Sequence, residues 1–302
     1  MTIKEQKSAQ SSAQLPPLVG PVVGMLPFGF RPTGGLGATP LAQLHWPLGA
    51  PDLPAGATIG DLRREDHICG FAELWMFGPH ARGFDARLSL AIAEPTLVHG
   101  HLMLLARLFH RRFYRILSCN PTLLAAIPNG RRLIYGEAWV KATPTLGREK
   151  SRMLSLIASK KRRLKGHRLR HRVVKALRRA GIEADIMGRG YRGIEDKAEG
   201  LAPYRYSIVI ENSREAGYIT EKLIDAFLTR TVPIYWGAPD IGDFFDGAGM
   251  IVCRNRAEIM DAAANLSVAD YEKRRDAIEA NRKTALKYAD VLKAAAHIVR
   301  AG

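Results

Sequence analysis

Disulfide chemistry has little to work with in this sequence. The three cysteines, Cys69, Cys119 and Cys253, are odd in number, scattered and free of any C-x-x-C pair. They support neither a disulfide framework nor a cysteine zinc site, and a reducing cytoplasm is the expected compartment. No stretch approaches the roughly 20 consecutive apolar residues that a membrane-spanning helix requires. The apolar stretch from Leu18 to Phe30 is interrupted by Pro21, Gly24, Pro27 and Gly29 and has no basic start, so a secretory signal is not expected either. There is no G-x-x-x-x-G-K-[ST] loop, which excludes a P-loop nucleotidase. Acidic residues nearly vanish between Gly147 and Arg179, where Glu149 stands alone against fourteen lysines and arginines.

That imbalance accounts for most of the net charge of +16. A patch of this kind attracts phosphate, whether in a nucleotide, an anionic membrane surface or a nucleic acid, or it is a solvated helix face. Nucleic acid is the weakest of these partners, because the segment lacks interleaved aromatics for base stacking and shows no known binding module. The 302 residues, 47% of them hydrophobic, suffice for two domain-sized cores with a cleft between them. Residues 1–40 are rich in Ser, Gln, Gly and Pro without a sustained period and read as a flexible leader. Residues 41–146 form the expected N-terminal α/β domain, and residues 147–302 the C-terminal one.

In the first domain, short apolar runs (His67 to Phe77, Leu88 to Ile92, Arg115 to Cys119, Leu133 to Tyr135) alternate with helical stretches such as Leu102 to Phe109. The second half is more regular. Strands are predicted over Arg152 to Ala158, Glu183 to Met187, Tyr206 to Ile210 and Val232 to Trp236. Helices are predicted over Leu169 to Ala180, closed by Gly181, and over Thr220 to Leu228, Arg256 to Leu266 and Tyr271 to Arg300. Alternating β and α elements imply parallel sheets covered on both faces, because parallel strands need crossover helices.

Two glycine-marked regions invite a functional reading. Gly188-Arg-Gly-Tyr-Arg-Gly193 fits G-x-G-x-x-G, but it leads into Ile194-Glu-Asp-Lys and not into an apolar helix, so a dinucleotide fingerprint is rejected. The second region runs Tyr204-Arg-Tyr-Ser-Ile-Val-Ile-Glu-Asn-Ser213, Tyr218-Ile-Thr-Glu-Lys-Leu-Ile-Asp225, Thr231-Val-Pro-Ile-Tyr-Trp-Gly237. It reads as strand, polar loop, helix and strand. The helix start offers free N–H groups and the positive end of a dipole, both suited to a diphosphate. Lys222 adds a full charge there, and Glu221 can accept from ribose hydroxyls. The same residues also make sense structurally, with Thr220 as a cap, Glu221 complementing the dipole and Asn212 shaping a turn.

The string Y-x-Y-S-I-V-I-E-N-S…Y-I-T-E-K-L…T-V-P-I-Y-W-G resembles the signature of the glycosyltransferase family 10 α-1,3/4-fucosyltransferases, bacterial type. The resemblance implies an α/β fold of GT-B type, with two Rossmann-like domains and the active site in the cleft between them. It also implies an inverting transfer of fucose from GDP-fucose to a hydroxyl of a glycan acceptor, with Asn212, Tyr218, Glu221 and Lys222 contacting the donor. Arg170 is similar to an arginine that reaches the donor phosphates in the family, with Arg168 and Arg172 as alternatives. Lys160 stands where the family commonly has Asn. Glu94, in the turn Glu94-Pro95 after a predicted strand, is the expected catalytic base; Glu137, His99 and His101 are the alternatives. No D-x-D motif occurs, so no metal and no essential cofactor is expected, cations and a helix end taking the metal's place. A different nucleotide-sugar donor on the same fold is the alternative function. The remaining cations of residues 148–179 are expected to touch an anionic membrane at its cytoplasmic face and to do no chemistry.

Overall fold

The computed structural model describes residues 20–52 and 54–301. Two parallel five-stranded sheets follow one another along the chain. The first contains β1 (Val23–Met25), β2 (His67–Phe71), β3 (Arg87–Ile92), β4 (Ile116–Ser118) and β5 (Gly130–Arg132), paired in that spatial order. Helix α1 (Thr96–Leu108) joins β3 to β4, and α2 (Pro121–Ala125) joins β4 to β5. Side chains alternate across each strand. Ile68, Leu90 and Ile116 therefore meet Leu102, Met103 and Ala106 of α1 on one face, while Met25, Cys69, Ala91 and Leu117 face the other way.

The second sheet contains β6 (Arg152–Ile157), β7 (Asp185–Met187), β8 (Tyr204–Ile210), β9 (Val232–Trp236) and β10 (Ile251–Val252), in the order β10-β9-β8-β6-β7. Helix α3 (Lys165–Ala180) follows β6, and α4 (Glu221–Leu228) follows β8. After β10 come α5 (Arg256–Ala264), α6 (Val268–Lys273), α7 (Arg275–Tyr288) and α8 (Val291–Arg300). Val173, Val174 and Leu177 of α3 are buried against Leu154, Leu156 and Ile208, each contributing about 1.5–3 kcal/mol of apolar burial. Gly181 ends α3 in the left-handed conformation, φ 67°, as its sequence position predicts. On the opposite face, Leu223, Ile224 and Phe227 of α4 pack with Val209 and Tyr235.

Three sequence expectations change. Val23–Met25, within the stretch read as a flexible leader, is the edge strand of the first sheet and is fully buried; residues 1–19 lie outside the described residues. The run is only three residues long and carries Gly24, so it has no readable period. The helical stretch expected from Tyr271 to Arg300 is three helices, because Asp290 caps a new one by accepting from the Lys293 N–H. That last helix, α8, does not stay with the second sheet: Val291, Ala295, Ala296 and Val299 bury against Met25, Cys69 and Leu117 of the first. All three cysteines are buried and unpaired. Among the described residues no helix is long and apolar enough to cross a membrane.

Candidate active site

In the second sheet the chain runs from β6 outward to β7 and then returns to β8 on the other side of β6. Such a reversal opens a crevice at the carboxyl ends of the two strands flanking it, which is where open α/β sheets bind ligands. Every donor-side residue named from the sequence sits here. Gly166, in the first turn of α3, donates its N–H to the Asn212 carbonyl at 3.0 Å. A Cβ at Gly166 would run into the Glu211 carbonyl, so only glycine lets α3 approach the end of β8 this closely. The approach brings in Arg170, which is 6% exposed. Its Nε and Nη2 donate to the Ile210 carbonyl, and Nη2 donates to Asn212 Oδ1 at 3.0 Å. The exposed Arg168 and Arg172 do not share this position.

The start of α4 is tied to the same strand end. Glu211, fully buried, accepts from the Thr220 N–H (3.0 Å) and the Thr220 hydroxyl (2.7 Å). Thr220 in turn accepts from Lys222 Nζ at 3.0 Å. Lys222 Nζ lies 2.9 Å from Glu221 Oε1 and 3.7 Å from Glu211 Oε2. Burial pushes the Glu211 carboxyl up despite Lys222. Burial also acts to raise Glu221, but Lys222 and Lys197 outweigh it and bring its pKa down to about 2. Glu221 is thus a fixed acceptor and Lys222 a cation facing the open end of the helix. Tyr218 is buried, with its phenol pushed up by burial and by the charges of Glu211 and Glu94, and it hydrogen-bonds Asn212.

Glu94 reaches this cluster from the first sheet. It follows β3 directly, half-buried, and burial raises its carboxyl while Lys222 and Lys161 pull it back and Glu221 adds to the rise. Its carboxyl therefore lies within electrostatic reach of the donor-side groups of the other half. Two residues on, the Thr96 N–H and hydroxyl donate to Glu215 Oε2 at 2.9 and 2.6 Å, joining the two halves beside it. Of the alternatives, Glu137 also feels Glu221 but sits in a left-handed backbone conformation, φ 33°, in the linker between the sheets. His99 is instead coupled to His101 and Glu73.

Several groups here were not named from the sequence. Glu211 was hidden inside the quoted motif as one more strand-end residue. His167 is held neutral, its pKa lowered to about 4 by burial and by Arg170, Lys161 and Lys222. Lys161, an exposed member of the basic segment, lowers the pKa of both Glu94 and His167 through its charge. Lys197 bonds the buried Asp225 at 2.7 Å and sits 4.7 Å from the ring centroid of the exposed Trp139; no local pattern links these three.

Two parallel α/β halves meeting at the carboxyl ends of their strands define a fold of GT-B type, and solved structures bear this out. The chain aligns with the crystal structure of Anabaena Alr3699/HepE in complex with UDP (TM-score 0.55, 10% identity, 78% of each chain). It also aligns with a crystal structure of an alpha1,3-fucosyltransferase (TM-score 0.51, 16% identity, 88% of this chain and 84% of that one). At these identities the likeness is one of fold. Residues 147–275 match the family described as glycosyltransferase family 10 (fucosyltransferase) C-term. The alpha-(1,3)-fucosyltransferase FucT of Helicobacter pylori is 42% identical over 57 residues, 19% of this chain. That match spans only 12% of the length of the H. pylori enzyme.

Proposed function

We propose that the protein is a metal-independent, inverting fucosyltransferase that moves fucose from GDP-fucose to a hydroxyl of a glycan acceptor. The reading is carried by one observation: the turn that bears Glu94 is fastened to the second half, the Thr96 N–H and hydroxyl donating to Glu215 Oε2 at 2.9 and 2.6 Å. A base and a cluster of cations on opposite sides of one crevice suit displacement at an anomeric carbon. The acceptor oxygen attacks C1 of fucose while its proton passes to Glu94. The C1–O bond to the β-phosphate breaks, and its electron pair leaves on GDP. Lys222, the end of α4 and Arg170 offset the charge that develops on the departing diphosphate. Glu221 holds ribose hydroxyls, and Asn212 and Tyr218 complete the donor contacts. These cations take the place that a divalent metal fills in other transferases.

The acceptor class that fits is a surface polysaccharide or lipid-linked glycan, with the protein peripheral at the inner face of the membrane. The exposed cations Lys160, Arg162 and Arg163 supply an electrostatic contact, whereas Arg170 and the Lys150 amine, its pKa lowered to about 6 by burial and bonded to Ala202 O and Thr229 O, point inward.

A thermal-shift screen of GDP-fucose against GDP-mannose, UDP-sugars and CMP-sialic acid, followed by turnover of the hits, tests the donor. A donor at about a hundred times its Kd stabilises the fold by roughly 2.7 kcal/mol. Stabilisation and turnover confined to GDP-fucose are expected. Turnover with another nucleotide sugar and none with GDP-fucose would replace the donor assignment, and no response to any of them would remove the transferase reading.

A further inference from the structure

Eleven large apolar side chains are exposed among the described residues, and five of them, Leu97, Val98, Leu104, Leu108 and Phe109, fall within thirteen positions of α1 and its end. Leu97, Leu104 and Leu108 are 73%, 58% and 65% exposed. Clustering of this kind marks an interaction surface, whereas single exposed leucines do not. The opposite side of the helix, Leu102, Met103 and Ala106, already forms the core, so α1 is apolar on two sides and only one of them is covered.

Along α1 and the turn after it, the formal charge has one sign. From Thr96 to Arg115 there are four arginines, Arg107, Arg111, Arg112 and Arg115, and no acidic residue. The helix end adjoins a cavity of about 400 Å³ lined by Arg82, Arg87, Arg111 and Arg112. Arg87 lies over the Tyr114 ring, 4.7 Å from its centroid, and Arg112 donates to the Phe77 and Gly78 carbonyls. Exposed leucines bordered by arginines match the boundary of an anionic bilayer, where leucine enters the acyl layer and arginine meets phosphate.

We infer that the outer face of α1, with the adjacent arginine cavity, is a membrane-docking surface for anionic phospholipid. It is distinct from the 148–179 segment, whose surface presents charge without exposed large apolar side chains. Charge alone is screened by salt; leucine insertion is not.

The test is sedimentation of the full chain with phosphatidylcholine vesicles, with and without phosphatidylglycerol, at low and high salt. Wild type should bind the anionic vesicles and keep a salt-resistant fraction. Leu104→Ser with Leu108→Ser should weaken binding by about tenfold or more and abolish that fraction. Arg107→Gln with Arg111→Gln should weaken binding by roughly tenfold and erase the preference for phosphatidylglycerol. Leu104→Trp, which needs no loss of structure, should show blue-shifted emission on vesicle addition. Wild-type binding by the double serine variant, an unshifted emission spectrum from Leu104→Trp, or no binding by wild type overturns the inference. So does a lipid-free dimer that the serines dissociate, which would make the face a contact between copies.

Discussion

Nη2 of Arg170 lies 3.0 Å from Oδ1 of Asn212, and the same guanidinium grips the Ile210 carbonyl. An arginine expected only as a phosphate ligand thus also holds the end of β8 in place. Arg170→Ala should therefore do two things. It should lower unfolding free energy by about 2–4 kcal/mol in urea, since it strands a buried carbonyl, and it should weaken GDP binding. Wild-type stability together with wild-type GDP affinity would remove both roles.

Lys222 separates the two effects. Its side chain is 22% exposed and faces the open end of α4, so Lys222→Ala should cost GDP about 1.5–3 kcal/mol of affinity through loss of a charge-assisted contact. Titration calorimetry with GDP measures this directly, and unchanged affinity would take Lys222 out of the diphosphate site.

For Glu94, Glu94→Gln keeps the shape but cannot accept a proton. Transfer should fall by about 10²–10⁴-fold with GDP binding intact. Burial raises the Glu94 pKa, so protonation should remove the base above the ordinary carboxylate range. kcat/KM should decline as pH falls through that raised value, and the limb should be absent from the residual activity of Glu94→Gln. A variant retaining more than about a tenth of turnover would transfer the role to Glu137 for the next test.

Gly166→Ala is the smallest change with a large expected effect. The added methyl meets the Glu211 carbonyl, a backbone atom that cannot rotate away. About 2–4 kcal/mol of stability should be lost, together with GDP affinity, because α3 and Arg170 withdraw from Asn212. A melting temperature within a degree or so of wild type would show that the crevice yields easily.

Acid titration checks the first turn of α4. Glu221 has its pKa lowered from 4.5 to about 2, so its ionisation stabilises the folded state above pH 4.5, and that contribution disappears as pH falls toward 2. Glu221→Gln should flatten the difference in stability across this window. Parallel acid unfolding curves for variant and wild type would contradict the pairing with Lys222.

The centre of the second sheet was readable because β6, β8 and β9 are apolar runs of five or more residues, and Val232–Trp236 is found where the sequence puts it; the two-residue β10 was not foreseen. Asn212, Tyr218, Glu221 and Lys222 could be grouped from the sequence because they lie together on α4 and the loop that joins it to β8. What escaped depends on distance in sequence. Lys161 and His167 meet Glu94 and Asn212 only through the fold, and Trp139 reaches Asp225 across 86 positions. The edge strand Val23–Met25 is paired with β2, 44 residues later, and bridged at Met25 to His45, and nothing local distinguishes it from a loop.

The chain crosses between its halves twice, and the two crossings touch: the Ala138 N–H donates to the Ala289 carbonyl at 2.8 Å, and Gly136 leaves room for the Tyr288 backbone. A paired crossing is a torsion hinge and not a single tether, so opening the crevice twists two adjacent backbones together. It also makes the halves inseparable by one cut. Proteolysis between residues 141 and 147 would leave an N-terminal fragment one face of whose sheet is covered by Val291, Ala295, Ala296 and Val299, residues of a helix that belongs, in sequence, to the other fragment.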